Sequence, residues 1–571
     1  MARIRKIEIR NFRSIATFDW FPNPGINCLI GPGDSGKSTI LDAIDLCLGA
    51  RRNIVFSDDD FYNLDTANPI CIAVTLSELD GNLRSLETYG AWLRGFHPVS
   101  GVIEDEPGNG LETVLTVQLK VADDLEPQWS LVSERATAQG LERNLSWADR
   151  LVLSPTRLGE SSESNLSWKR GSILNKVSGE RADLGASLAR AVRDARASFG
   201  NAAELQLGQA LATVQATATR LGVPTGPKVQ ALLDAHSVSI SSGTISLHGS
   251  NGVPLRDLGL GSMRLLIAGL QRHVAGTSPI MLADELEYGL EPHRIIALLG
   301  ELGAKDPVAQ FQVFVTTHSP VAVRELYATQ LHVVRRYGAQ HYVNWLGNSP
   351  DVQGTIRLFP DALLARSIVV CEGATEIGLL RGLDLGSQTA STPSFAAMGA
   401  SLVDGGGDTT FARALAFQKM GYRTAILRDS DVAANPDLES QFRKDGSAVF
   451  SWRPGYALED ELFACVSLNA LNQLIARAID LKEEQVVDDH IRSTSNGAHS
   501  LSSLATSLIQ PGLIPEVRSM LGRASRTKKG WFKSITAMEA VARDIVIPDW
   551  QNCSSDLRTP IDMLFGWMRA S

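Results

Sequence analysis

Ile26-Asn27-Cys28-Leu29-Ile30-Gly31-Pro32-Gly33-Asp34-Ser35-Gly36-Lys37-Ser38-Thr39 is the stretch on which the fold turns. Its second part is G-x-x-x-x-G-K-S, a loop whose backbone N–H groups wrap a polyphosphate. Lys37 is placed to reach the β- and γ-phosphates and Ser38 to hold Mg²⁺. Gly31, Gly33, Asp34, Ser35, Gly36 and Thr39 complete the cradle. Four apolar residues and Asn27 precede the loop as a buried strand. Ile40, Leu41, Ile44 and Leu48 follow at helical spacing, so a helix N-terminus points its dipole at the anion. A glycine turn that matched by chance would not sit between a strand and a helix in this order. ATP is the expected ligand.

Working outward, Pro279 to Ala283 is a second buried run, closed by Asp284 and Glu285. Asp284 suits a Mg²⁺-organising carboxylate, and Glu285 is placed to polarise an attacking water. The bland reading of the pair is a solvated acidic turn. A third strand, Gln312 to Thr316, leads to His318, which could contact a γ-phosphate or serve structure alone. Leu258-Gly259-Leu260-Gly261-Ser262-Met263-Arg264 precedes these strands and opens an apolar helix, so Gly261 and Ser262 form a second candidate anion turn. Leu115–Val121 and Leu151–Leu153 read as strands of the same head. Leu174 to Leu221 has helical periodicity with no internal proline and reads as an insertion, for packing or dimerisation. Val238–Leu247 reads as a hairpin returning to the head.

Near Pro360 the pattern restarts. A strand over Ala365–Cys371 ends in Glu372-Gly373-Ala374-Thr375-Glu376 and leads into a helix with Ile377, Leu380 and Leu383. Leu402-Val403-Asp404 and a glycine turn follow, then a helix over Phe411–Met420. The strand Thr424–Arg428 ends in Asp429-Ser430-Asp431. Alternating β and α segments predict a parallel sheet with its site at the carboxyl ends of the strands. Asp429 and Asp431 share a side if the chain stays extended. Glu372 and Glu376 share a helical face if the helix starts at once. Together such carboxylates could hold one or two Mg²⁺ or Mn²⁺ ions for in-line attack on a phosphodiester. Asp-x-Asp alone would be read as a capping turn; its pairing with Glu-Gly-x-x-Glu favours the metal reading.

The order of phosphate loop, Gly-Ser turn, Asp-Glu strand and His resembles the ABC ATPases, and the opening strand Lys6–Arg13 resembles their RecF/SMC-type branch. In that family the Gly-Ser signature of one head caps the ATP of another, which implies a homodimer or higher homo-oligomer. The second module resembles the Toprim domain. The two together resemble an OLD-family (overcoming lysogenization defect) ATP-dependent endonuclease, and the resemblance runs over nearly the whole chain. It implies that Glu372, Glu376, Asp429 and Asp431 bind divalent metal, and that a further acid is supplied by Glu459 or Asp460. It also implies a lysine near the scissile phosphate, for which Lys529 is preferred and Lys533 is next, in Arg526-Thr527-Lys528-Lys529-Gly530-Trp531-Phe532-Lys533. That cluster also suits phosphate-backbone contact, or reads as a solvated basic loop. Relatives of this kind include the nuclease subunits of Gabija-type and retron-linked anti-phage systems, so DNA, a helicase-like or retron partner and a defence role are implied. Two residues depart from the family pattern. Asp284-Glu285-Leu286-Glu287 lacks the usual proline, and Asp34 stands where Asn is common, which bears on the rate of hydrolysis.

Bulk properties set the frame. At 571 residues the chain is expected to hold two or three domains. The fold class is α/β. The resemblance implies an ABC-type head over 1–165 and 231–360, an inserted helical dimerisation segment over 166–230, and a Toprim α/β domain with a C-terminal helical elaboration over 361–571. Hydrophobic residues are 44% and charged residues 20%, as in globular proteins. No apolar run reaches the roughly 18 residues of a membrane span, and Met1–Ile9 lacks a leader's apolar core. Six scattered cysteines with no CxxC argue against a zinc or disulfide framework and fit a cytoplasmic location. The net charge of −9 means that any nucleic-acid surface is local. A non-nucleolytic RecF/SMC-like DNA clamp or repair mediator is the alternative. A primase- or topoisomerase-like enzyme is the third reading, with no separate domain bearing a tyrosine nucleophile to support a topoisomerase.

Overall fold

The computed structural model describes residues 2–50, 54–159, 172–177, 190–191, 193–194, 198, 207–216, 228, 247, 250, 255–273, 279–387, 393–444, 446–527 and 530–570. Most of the expected insertion, and nearly all of the expected hairpin at 238–247, lie outside these residues; within the insertion, 173–177 and 207–216 are helical. The described chain divides into two compact units: 1–28, 36–317 and 338–341, and 29–35, 318–337 and 342–571.

In the first unit, β1 (Arg3–Phe12) pairs antiparallel with β2 (Ile15–Trp20). A register shift between Ile4 and Lys6 lets Ile4 and Ile7, three positions apart, both face the core. Along the chain, the strand β3 (Ile26–Ile30) leads through the glycine loop to helix α1 (Lys37–Leu48), with residues 29–35 of this stretch counted in the second unit. β4 (Ile70–Ser77) pairs antiparallel with both β1 and β5 (Glu112–Val121). A parallel set follows, in which β6 (Thr156–Leu158) and β8 (Gln312–Thr316) flank β7 (Ile280–Ala283). β7 and β8 are buried along their whole length, which is why they read as apolar runs without alternation. Helices α2 (Leu260–His273) and α3 (Pro292–Glu301) pack on each other. The expected strand at Leu151–Leu153 is instead the end of a helix, Trp147–Leu153. Ser146 caps that helix by accepting from the Asp149 N–H at 3.1 Å.

In the second unit, β9 (Ser367–Cys371), β10 (Ala400–Asp404), β11 (Arg423–Arg428) and β12 (Ala448–Ser451) form a sheet in the order β10-β9-β11-β12. Every pair is parallel. α4 (Ala374–Ser387) and α5 (Thr410–Lys419) make the crossovers. The chain moves out from β9 to β10 and returns on the other side as β11, so the topological switch lies between β9 and β11. The helices α6 (Leu458–Cys465), α7 (Ile514–Ser525) and α8 (Ile535–Val541) share one core with the sheet, through residues such as Val369, Leu427, Leu462, Leu521, Phe532 and Met538. Gly382 is what lets α4 approach α8: a Cβ there would collide with the Glu539 carbonyl and the Ala542 side chain.

Candidate functional site

The glycine loop has the backbone its sequence demands. Gly31, Asp34 and Gly36 have φ of 139°, 57° and 86°. A Cβ on Gly31 would lie 2.6 Å from the Val334 carbonyl, and one on Gly36 would lie 3.1 Å from the His341 ring. At Gly33 a Cβ would meet nothing within 4 Å, so packing does not require glycine there. Ser35 and Lys37 are buried, while Gly33, Asp34 and Ser38 are exposed. Thr39 Oγ1 lies 3.3 Å from Ser14 Oγ. α1 begins at Lys37, so its free N–H groups follow the loop directly.

Asp284 stands just past β7. Its Oδ1 accepts from Thr316 Oγ1 at 2.5 Å and from Ser38 Oγ at 3.1 Å, and its Oδ2 lies 3.8 Å from Arg157 Nη2. This joins the loop serine to the acidic strand end. Glu285 takes a left-handed φ of 45°, and its N–H donates to Thr316 Oγ1 at 2.8 Å. The missing proline has a physical reason: the Leu286 N–H donates to the Thr316 carbonyl at 2.9 Å, and proline has no such donor. Arg264, fully buried, ties the turn together by donating to the carbonyls of Asp284, Glu285 and Tyr288 at 2.8–3.0 Å. Burial pulls its pKa down, against the pull of Glu287, Asp284 and Glu285. Gly261 and Ser262 fall inside the first turn of α2 rather than in a turn before it. A Cβ on Gly261 would press on the Gly289 carbonyl at 2.5 Å, and Ser262 Oγ accepts from Arg294 at 3.1 Å. His318 is exposed just past β8. Arg264, Arg157 and Thr316 are the residues that sequence reasoning missed, since a polar side chain in a helix or strand carries no local sign of partners distant in sequence.

The second unit gathers its acids at the carboxyl ends of β9 and β11. Glu372 Oε2 accepts the Asp429 N–H at 3.0 Å and lies 3.7 Å from Arg428 Nε. Asp429 Oδ1 accepts the Leu458 N–H at 2.9 Å, which brings the start of α6, with Glu459 and Asp460, to the same end of the sheet. Glu376 is buried. α4 starts at Ala374, so Glu372 precedes the helix and Glu376 turns back to accept the Gly373 N–H at 2.8 Å; the two do not share a helical face. The strand β11 ends at Arg428, so the extended geometry stops before Asp429 and Asp431, although Asp431 still acts electrostatically on Asp429. Asp431 instead accepts from Arg526 Nη1 at 2.9 Å, and that guanidinium also lies 3.2 Å from Asp460. Lys533 is exposed and acts electrostatically on Glu459; Lys529 lies outside the described residues.

These carboxyls oppose one another. Burial, then the charges of Glu459 and Glu372, push Asp429 up to about 8. Burial and Asp429 hold Glu376 well above the usual carboxylate range. Glu372, Glu459 and Asp460 are also raised, in each case first by burial. Such mutual repulsion is what a bound cation relieves. The donor atoms these carboxyls offer are all oxygen, the kind that Mg²⁺ or Mn²⁺ prefers. They form an open set: among the described residues, the trio whose ligand atoms lie within 4.8 Å of one another is Glu461, Cys465 and Asp556. That trio already has its cation, since Arg453 reaches Glu461 at 2.8 Å and Asp556 at 3.0 Å. Burial and Glu461 push the Cys465 thiol up to about 12, so it stays protonated.

The fold and the loop thus define a P-loop ATPase domain that binds ATP. Two family models agree. An AAA-domain family model matches residues 6–75, and the AAA-domain model that carries the AbiEii toxin, Type IV TA system description matches 100–324. An OLD nuclease of Thermus scotoductus is 36% identical over 74 residues, which is 12% of this chain and 14% of that relative. Among solved structures, the SMC head domain from Thermotoga maritima matches 60% of this chain and 98% of its own, at 17% identity and a TM-score of 0.28. The Smc head bound to the C-terminal domain of ScpA, derived from Pyrococcus furiosus, matches 60% of this chain and 96% of its own, at 13% identity and a TM-score of 0.31. No described helix is long and apolar enough to cross a membrane.

Proposed function

We propose that the chain is an ATP-regulated, divalent-metal-dependent DNA endonuclease with a Toprim-type second domain, of the OLD kind. The observation that carries this reading is the set of mutually opposed carboxyls at the switch point between β9 and β11, with Asp429 pushed up to about 8. Glu372, Glu376, Asp429 and Glu459 would hold Mg²⁺ or Mn²⁺, with Asp431 and Asp460 joining once Arg526 leaves them. Bound ions supply Lewis-acid stabilisation of the charge that develops on a phosphodiester. The chain's own groups do the rest. Backbone N–H groups of Asp429 and Leu458 fix the carboxylates, and Lys533, with Lys529, offers positive charge to the strand. In the head, Lys37, Ser38 and Asp284 would hold ATP with Mg²⁺, and Glu285 would position water. Gly261 and Ser262 would cap the nucleotide of a second copy in a homodimer. A role in anti-phage defence, with a helicase-like or retron partner, belongs to the same reading.

The test is a cleavage matrix on plasmid DNA, with Mg²⁺ or Mn²⁺ against ATP, ADP and no nucleotide. Nicking or cutting that requires metal and disappears in Asp429→Ala supports the reading. ATP-dependent DNA binding with intact plasmid under every metal overturns it in favour of a RecF/SMC-like clamp.

A further inference from the structure

Beside the acid cluster lies a feature that metal binding does not use. Arg453, Arg518, Arg523 and Arg526 line one cavity of about 460 Å³, together with Tyr456 and Asp460. Its size falls in the roughly 300–1,000 Å³ range of small-ligand sites. Four guanidinium groups face a single lining carboxylate, so the cavity favours an anion. Two of the four are fixed as walls. Arg453 is held by Glu461 and Asp556 and lies 4.4 Å over the Tyr456 ring. Arg518 donates to the Phe463 carbonyl at 2.6 Å, near the end of α6. The other two differ. Arg523 is exposed, donates to Ser519 Oγ at 2.9 Å, and reaches no carboxylate at ion-pair distance among the described residues. Arg526 bridges Asp431 and Asp460, so it belongs to both the cavity and the acid cluster.

Arginine forks match the paired oxygens of an oxyanion such as phosphate, which favours an oxyanion over a halide. The cavity is wider than one phosphate group needs and opens beside the carboxylates through Arg526 and Asp460. We infer that it seats a phosphodiester of the nucleic-acid strand next to the one presented to the acid cluster, with Arg523 and Arg526 as its ligands. This rests on the nuclease reading for the strand's direction of travel, but the binding itself is measured without metal or cleavage.

The experiment is fluorescence anisotropy of a labelled DNA duplex with the full chain in EDTA, over a series of KCl concentrations. Arg523→Ala is expected to weaken binding about threefold to tenfold at low salt and to reduce the slope of log K against log salt by about 0.9, the loss of one phosphate contact. Arg523→Glu weakens it further. Arg443→Glu, also exposed but outside the cavity, keeps the parental slope. Unchanged affinity and slope in both Arg523 variants overturn the inference. The parent is assayed in parallel on plasmid with Mg²⁺. Loss of binding in the Arg523 variants together with an uncut plasmid removes the nuclease reading and retains the cavity as a phosphodiester site.

Discussion

Asp284 and Asp429 each stand just past the carboxyl end of a buried parallel strand, yet their surroundings are opposite. Asp284 accepts from two hydroxyl groups, has Arg157 nearby, and sits in a turn whose carbonyls are held by Arg264. Asp429 accepts one backbone N–H and faces Glu459, Glu372 and Asp431. The first acid is braced by donors that the protein provides. The second is one of several acids that the fold holds together against their repulsion, which is the arrangement an external cation stabilises. A strand ending in an acid is therefore one local pattern with two uses, and the neighbours decide between them.

The largest expected effect breaks the two sites apart. Asp429→Ala should reduce metal-dependent plasmid cleavage at least about 100-fold, beyond what loss of an outer-shell partner costs. Lys37→Ala should abolish ATP binding while cleavage in Mg²⁺ persists, if the head regulates rather than drives the chemistry. Equal cleavage loss in both variants would erase the distinction between the two sites.

Next is the bracing of the head. Arg264→Met removes the donor to three carbonyls in a buried turn and should destabilise the first unit by about 3 kcal/mol or more, read by urea unfolding. A change under about 0.5 kcal/mol would mean that the turn stands without it. The second unit should respond to ions instead. Mg²⁺ at 100 times its Kd should stabilise the parent by about 2.7 kcal/mol. Asp429→Asn should raise the metal-free melting temperature by roughly 2–4 °C and abolish the Mg²⁺ increment. A metal-free protein destabilised by Asp429→Asn would contradict repulsion at this position.

Much of this was legible in the sequence where an apolar run meets a chemically specific turn. Ile26–Ile30, Ile280–Ala283 and Ser367–Cys371 are buried throughout and end in glycine or acid motifs. Leu151–Leu153 was misread because three apolar residues fit either period, although Ser146-Trp147-Ala148-Asp149 carried a helix-start signal. The positions of Glu372 and Glu376 depended on where α4 begins, a boundary that periodicity does not fix. Arg526 could not be read as a partner of Asp431, because their pairing depends on how α7 packs on α6.

The smallest effect isolates burial from like charge. His332 is buried in the second unit, and burial alone lowers its pKa from 6.5 to about 4. The neutral form is the folded one, so its contribution is complete above about 6.5. It falls as pH drops towards about 4, because the unfolded chain takes up the proton first. The slope approaches about 1.4 kcal/mol per pH unit within that window, so between pH 7 and 6 the loss is below about 1 kcal/mol. His332→Leu should flatten this part of the acid stability curve without altering the Mg²⁺ increment. Were the increment to change as well, the carboxyl cluster would not be an independent electrostatic unit, and its contrast with the braced head would rest on more than its own acids.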